Sequence, residues 1–196
     1  MLTSQLSFLM IPDIEENMDS QLVFDKNVVE FVTVAAEYCA YIERVGDKDR
    51  LQACDVLLKL LPLLYLKASM LPETESDETV VLTDSVTEQE YDYIRSQATL
   101  LMGPDDDYLE VFAEEMKYSD MPVRKTVSED LADIYQPLKN FIESFRTGIN
   151  QIMAESVANC RQLFVEGWGQ TLLNTMRAIH SFRYAPLNTF DEYDYD

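Results

Sequence analysis

The chain has 196 residues, with 15 basic and 36 acidic side chains and a formal net charge of −21 at pH 7. Because its net charge is strongly negative, the chain repels phosphate backbones and anionic membrane surfaces. We therefore expect it to bind neither nucleic acid nor a membrane. An apolar fraction of 47% is enough for a folded core, and only 5 Gly and 7 Pro favour long helices over many strands and turns. No run approaches the roughly 18 apolar residues of a membrane span.

The three cysteines are far apart in the sequence and each lies in an apolar helical pattern. Cys39, Cys54 and Cys160 form no C-x-x-C pair, so we expect buried free thiols rather than disulfides or a zinc site. The N-terminal SFLMI has no preceding basic residue and is a poor signal peptide. These features predict a cytoplasmic protein.

Residues 1–24 show no sustained period and are predicted to be a loose extension that precedes a single domain over residues 25–184. The first helix is predicted from Asn27, a good cap residue, to about Arg44, with Gly46 ending it. A second helix is predicted from 47 or 48 to 70, antiparallel to the first because the connection is short. Since the second helix is apolar almost all round, we expect it to be central and covered by neighbours.

Residues 72–94 carry eight acids and no base, a composition that predicts a solvated linker. A third helix is predicted over 87–102, with Thr87 and Glu90 in capping-box positions. Residues 105–125 are ambiguous: a short helix over 108–117 is favoured over an extended loop.

The stretch TVSEDLADIYQPLKNFIESFR, residues 126–146, has the strongest helical period. Its apolar residues recur at steps of three and four and form one continuous face. Thr126 or Ser128 is the predicted cap, and Thr126 with Glu129 matches a capping box. We expect the other helices to cover this stripe, which places the stretch at the centre of the domain.

A break near Thr147 and Gly148 precedes a final helix predicted over 149–182. Trp168 lies between Gly167 and Gly169, which predicts either a kink or the close approach of another helix. Residues 185–196 are predicted to be an acidic flexible tail. Together the elements predict an all-α fold, an up-and-down bundle of about five main helices with acidic loops.

Four segments of the chain resemble a bacterial family of unknown function, the one numbered 5063. The resemblance rests on VVEFVTVAAEYC, DVLLKLLPLLYLKASMLP, SEDLADIYQPLKNF and WGQTLLNTMRAIHSF, and it covers most of the chain from Phe24 to Ser181. It implies a helical bundle and a bacterial source. It implies no mechanism and no catalytic residue.

Asp130 and Asp133, at positions i and i+3 of the central helix, are the first candidate binding residues. Their carboxylates can converge as a small-ligand or metal site requires. Pro137 has no N–H, so the carbonyl of Asp133 loses its helical donor and becomes available to a ligand. The alternative is structural, because acids in a first helical turn are favoured by the helix dipole.

Trp168, Arg177 and His180 complete the candidate binding residues. Arg177 and His180 could meet Asp130 or Asp133 across the bundle, or they could simply bond the carbonyls at the end of the final helix. With one histidine the chain holds no multi-histidine metal site. It contains no nucleophile elbow and no phosphate-binding loop, so we expect no catalytic residue, no metal and no cofactor.

Two functions follow from these patterns. The first is a non-catalytic protein-interaction or adaptor module whose partner is another protein. The second is a hydrolase-like bundle that binds a small ligand or a metal through Asp130 and Asp133. The sequence leaves the oligomeric state open.

Overall fold

The computed structural model describes residues 19–77, 79–110 and 123–185. Within these residues the chain forms six complete α-helices, a further helical stretch at residues 19–23 and one two-stranded antiparallel hairpin. The elements in chain order are α1 (Lys26–Ile42), α2 (Arg50–Ser69), α3 (Glu88–Met102), β1 (Asp107–Leu109), β2 (Arg124–Thr126), α4 (Val127–Phe145), α5 (Asn150–Leu163) and α6 (Gly169–Arg183). A π-helical turn, Phe164–Trp168, joins α5 to α6. Helices α5 and α6 therefore form one long continuous element. The predicted all-α bundle of about five main helices is confirmed.

Helix α4 is the centre of the bundle and packs against α1, α3, α5 and α6. Leu131, Ile134 and Leu138 on its apolar stripe are fully buried. The Thr126 hydroxyl accepts a hydrogen bond from the backbone N–H of Glu129 and so caps the helix. The predicted central position of this stretch is confirmed, and of its two predicted caps the structure has Thr126.

Helix α1 has another cap than the predicted one, and α2 begins two or three residues after its predicted start. The Asp25 carboxylate, rather than the Asn27 side chain, caps α1, and Asp49 caps α2. Carboxylates are strong caps because they accept hydrogen bonds from the unpaired backbone N–H groups of the first turn. Helix α1 also ends at Ile42, before the short 3₁₀ turn that contains Gly46.

The prediction that the second helix is central and covered by its neighbours is wrong. Helix α2 packs mainly against α1 and α6, whereas the stripe of α4 is covered by other helices. Helix α2 therefore lies in an outer layer. One side of it remains in solvent, where Leu63, Leu66 and Met70 are exposed.

The prediction of a short helix over residues 108–117 is wrong for residues 108–110, the part of this range that the structure describes. Residues 107–109 form β1, which pairs with β2 in the register Asp107 to Thr126. The Asp106 carboxylate accepts hydrogen bonds from both the backbone N–H and the hydroxyl of Ser128. These hydrogen bonds hold the residues before β1 beside the start of α4, so that β1 pairs with β2 instead of forming a helix. Residues 111–122 lie outside the described residues.

The acidic segment before α3, predicted to be a solvated linker, is tied to the bundle. The Asn140 side-chain oxygen accepts hydrogen bonds from the backbone N–H groups of Ser85 and Val86, and its amide donates to Asp84. Glu155, which is buried, accepts from Ser76 and from the Asp77 backbone N–H. These buried and half-buried acceptors place the segment along α4 and α5.

The two ends of the chain are described only in part. Residues 19–23, within the predicted loose extension, are helical, and Val23 is buried with Met153 and Ala154. Residues 1–18 and, in the predicted tail, 186–196 lie outside the described residues. None of the helices in the described ranges is long and apolar enough to cross a membrane.

Candidate functional site

Asp130 is buried at the junction of α4, the hairpin and α6, and only 2% of it is exposed. The Tyr108 hydroxyl from β1 donates a hydrogen bond of 2.5 Å to its Oδ2 atom. The Thr175 hydroxyl from α6 lies 3.0 Å from the same oxygen. The carboxylate therefore joins three elements that are distant in the sequence.

The protonation of Asp130 is altered by this environment. Burial raises the pKa of its carboxyl from 3.8 to about 6, although the hydrogen bonds from Tyr108 and Thr175 oppose the rise. Burial and the carboxylate also raise the pKa of the Tyr108 hydroxyl well above its usual value. A buried carboxyl that titrates near neutral pH is typical of functional sites, but structural clusters also contain such groups.

Asp133 faces different neighbours from Asp130. It is exposed, and its carboxylate accepts a hydrogen bond of 2.6 Å from the Tyr91 hydroxyl of α3. It also lines a cleft of about 500 Å³ together with Pro137, Glu166 and Trp168. The structure thus brings Asp133 and Trp168 to one cleft, while the Asp130 carboxylate is held by the hairpin and α6.

The Trp168 side chain is fixed by the π-helical turn. Its indole N–H donates to the carbonyl of Cys160, and its ring packs edge-on against Phe164 with centroids 4.8 Å apart. A Cβ atom on Gly169 would lie 2.6 Å from the Phe164 carbonyl oxygen, whereas one on Gly167 would meet nothing within 4 Å. The close contact at Gly169 is with Phe164 of the same continuous element and not with another helix, as one of the two predicted explanations had it.

Arg177 and His180 lie on α6 but have other contacts than the predicted ones. The Arg177 guanidinium donates to the carbonyl of Leu109 on β1, so it helps to hold the hairpin. The His180 ring packs against the Tyr184 ring with centroids 4.7 Å apart. Both residues line a second cleft, and within the described part of the chain neither is hydrogen-bonded to Asp130 or Asp133.

All three thiols are buried and free. Burial raises the pKa of Cys54 to about 11, and it raises the pKa values of Cys39 and Cys160 still further. A thiolate is the nucleophilic form of cysteine, so these positions disfavour nucleophilic chemistry at neutral pH.

Sequence reasoning missed an exposed apolar surface on the outer side of α2. We name it the α2 stripe, and it consists of Val56, Leu63, Leu66 and Met70. Each of these residues is between 38% and 51% exposed. Their steps of seven, three and four residues place them along one line of the helix. The spacing was visible in the sequence, but in a helix that is apolar almost all round it did not stand out.

A groove of about 330 Å³ between α1 and α2 includes two residues of the α2 stripe, Val56 and Leu63. Its lining also contains Tyr41 and Leu60 and two charged residues of opposite sign, Glu37 and Lys59. An exposed apolar surface bordered by charged groups is typical of sites where another macromolecule docks.

These observations define an all-helical domain, and within its described residues no group of His, Cys, Asp and Glu side chains could hold a metal ion. The chain belongs to the family described as a domain of unknown function (DUF5063), whose model matches residues 22–185. The resemblance found in the sequence is thereby confirmed.

A solved structure shares this fold at substantial sequence identity. It is the crystal structure of protein BF1032 from Bacteroides fragilis, which is 46% identical to this chain with a TM-score of 0.76. The match covers 85% of this chain and 98% of that chain. No curated protein matches this chain.

Proposed function

We propose that the protein is a non-catalytic protein-interaction module and that the α2 stripe is its docking surface. The observation that carries the proposal is the exposure of a row of large aliphatic side chains at helical spacing. Leu66, for example, is 51% exposed on the outer side of α2. Covering such side chains gains about 25 cal/mol for each Å² of apolar surface removed from water.

The shape of the surface favours a helical partner. Apolar residues at steps of three, four and seven match the single apolar face of an amphipathic helix, which docks into grooves between helices. The groove between α1 and α2 supplies such a seat, with Tyr41 and Leu60 in its wall.

Charge selects between the possible occupants of the groove. A net charge of −21 makes a second copy of the chain an unfavourable partner, because both molecules repel. A helix from another protein with basic residues on its flanks is attracted instead by the net charge of the chain, while the groove itself is lined by one acid, Glu37, and one base, Lys59. The proposed partner is therefore a basic amphipathic helix.

Affinity capture with matched variants tests the proposal. The full chain is immobilised and exposed to a Bacteroides fragilis lysate beside two variants, Leu63→Glu in the stripe and Leu100→Glu as control. Leu100 is 71% exposed on α3 and lies outside the α2 stripe. Circular dichroism first verifies that both variants are folded.

We expect the wild type and the Leu100→Glu control to capture the same protein, and Leu63→Glu to capture at least about tenfold less of it, as for a central interface residue. Raising the salt concentration should weaken capture, because part of the attraction is between charges. Capture that is equal with Leu63→Glu would contradict the proposal, and so would association of the chain only with itself.

The hydrolase-like alternative at Asp130 and Asp133 stays a prediction. One observation favours a small-ligand site, namely the cleft shared by Asp133 and Trp168. The Trp168 indole offers a direct test, since a ligand that enters this cleft should change its fluorescence and Asp133→Ala should weaken that response. No response to any of a broad set of small organic cations would remove the support that the cleft gives.

A further inference from the structure

A third cleft lies where the acidic segment before α3 packs against α5. We name it the Thr74 cleft, and its volume is about 260 Å³. It is lined by Thr74 and Ser76 of the segment, by Ala158, Arg161 and Gln162 of α5, and by Val165 and Glu166 of the π-helical turn. Pockets for drug-sized ligands range from about 300 to 1,000 Å³. The Thr74 cleft therefore suits a smaller molecule.

The hydroxyl group of Thr74 is the feature that points to a ligand. Its oxygen is buried, yet among the described residues it has no hydrogen-bond partner. A buried hydroxyl without a partner is unfavourable, and proteins pair the large majority of such groups. The nearby Ser76 hydroxyl, by contrast, donates to the buried carboxylate of Glu155. A polar molecule in the cleft would supply the partner that Thr74 lacks.

Arg161 supplies positive charge to the cleft. Its side chain is 28% exposed and donates from Nη2 to the carboxylate of Glu73, whose side chain is 85% exposed. A guanidinium has five N–H donors in all, so Arg161 has donors for a second carboxylate. Ion pairs with so exposed a partner are weak. Glu73 can therefore move into solvent when another carboxylate binds.

Glu166 supplies the opposite charge. Its Oε1 atom accepts a hydrogen bond of 3.0 Å from the Gln162 amide. Its other oxygen, Oε2, accepts none from the described part of the chain and can accept one from a ligand. Ala158 and Val165 add small apolar surface to the lining. The cleft thus offers a cation, an anion, a hydroxyl without a partner and a small aliphatic wall.

We infer that the Thr74 cleft binds a small zwitterion with the ammonium and carboxylate groups of a free α-amino acid. Arg161 binds the carboxylate, to which Thr74 also donates, and Glu166 accepts from the ammonium group. Ala158 and Val165 contact the ligand's side chain, so small aliphatic amino acids fit best. Because such a ligand has no net charge, the net charge of −21 does not oppose its binding. This inference does not depend on the function proposed for the α2 stripe.

Titration of the isotope-labelled full chain with L-alanine, followed by nuclear magnetic resonance, tests the inference. The signal is the shift of the backbone amide resonance of Ala158. Propionate, which lacks the ammonium group, and ethylamine, which lacks the carboxylate, are the comparison ligands. Arg161→Gln removes the guanidinium. Arg146→Gln is the matched control, because Arg146 likewise pairs with a glutamate, Glu143, but lies outside the cleft.

We expect L-alanine to give saturable shifts with the same affinity in the wild type and in Arg146→Gln. In Arg161→Gln the affinity should fall at least about tenfold, since hydrogen bonds to charged groups are the stronger ones. Propionate and ethylamine should each bind the wild type at least about tenfold more weakly than L-alanine for the same reason.

Thr74→Val separates a contact with the ligand from a structural role. The affinity for L-alanine should fall about twofold to tenfold, while urea unfolding of the free variant should show no loss of stability, because the hydroxyl has no partner there to lose. An unchanged affinity in this variant would contradict the role of the hydroxyl.

Absence of a saturable shift with L-alanine in the wild type would overturn the inference. Equal affinity in Arg161→Gln would also overturn it, because the guanidinium would then have no part in binding. If propionate or ethylamine bound as tightly as L-alanine, the ligand would not be recognised as a zwitterion, and the assignment would be wrong.

Discussion

The buried carboxyl of Asp130 should make the stability of the protein depend on pH in a predictable direction. Burial raises its pKa from 3.8 to about 6, so the folded protein holds a proton that the unfolded chain has already released. This contribution to stability is fully present below pH 4 and is lost as the pH rises through 6. Two pH units at about 1.4 kcal/mol each amount to about 3 kcal/mol.

The substitution Asp130→Asn removes this dependence, because an amide is neutral at every pH. Its oxygen can still accept the hydrogen bond that Tyr108 donates. We therefore expect the free energy of unfolding of the variant, relative to the wild type, to rise by about 3 kcal/mol between pH 4 and pH 7.5. Urea unfolding followed by circular dichroism at four or five pH values measures it.

Asp133→Asn serves as the control, since it removes one charge from the exposed side of the same helix. The difference between the two variants isolates the effect of burial from that of net charge. If the relative stability of Asp130→Asn stays constant over this pH range, or falls as the pH rises, the reasoning about the buried carboxyl is refuted.

Three further predictions concern the packing of the bundle. Gly169→Ala should destabilise the fold by about 2 kcal/mol or more, because its Cβ would press against the Phe164 carbonyl oxygen. Gly167→Ala, by contrast, should stabilise the fold by up to about 1 kcal/mol. Urea unfolding distinguishes the two variants, and equal changes in their free energies of unfolding would contradict the close contact at Gly169. Asn140→Ala should cost about 1–3 kcal/mol and speed hydrogen exchange in the acidic segment, and unchanged exchange would show that the side chain does not hold it. In the folded protein the three buried thiols should resist Ellman's reagent until the protein unfolds. Of the three, Cys54 should react first, since its thiol has the least raised pKa, about 11. Rapid reaction of any of the three thiols at neutral pH would contradict their burial.

The parts of the fold that the sequence predicts correctly are those with local causes. The period of α4 and its cap lie within a few residues of each other, and Thr87 with Glu90 forms the expected capping box at the start of α3. The bundle follows because one long apolar stripe needs other helices to cover it.

The errors arise where distant residues decide the structure. Pairing of Glu110 with Val123 extends the hairpin, and no local pattern announces a partner thirteen residues away. The apolar content of α2 likewise says nothing about which side its neighbours cover.

The candidate site shows the same limit. Asp130 and Asp133 look equivalent in the sequence, and only the tertiary fold separates them. Tyr108 and Thr175, which lie 22 and 45 residues from Asp130, bind that carboxylate. Tyr91 binds the other one. The positions of Arg177 and His180 depend on the hairpin and on Tyr184 in the same way.

The central claim, that the α2 stripe docks another protein, is tested most directly by photo-crosslinking in living cells. A photoreactive phenylalanine analogue is placed at Leu63 of the full chain and, as control, at Leu100. We predict that the analogue at position 63 gives one crosslinked product with another protein and that the crosslink lies on a helix of that partner with basic residues. The analogue at position 100 should give no such product. No crosslink from position 63, or a product that contains only two copies of this chain, would contradict the claim.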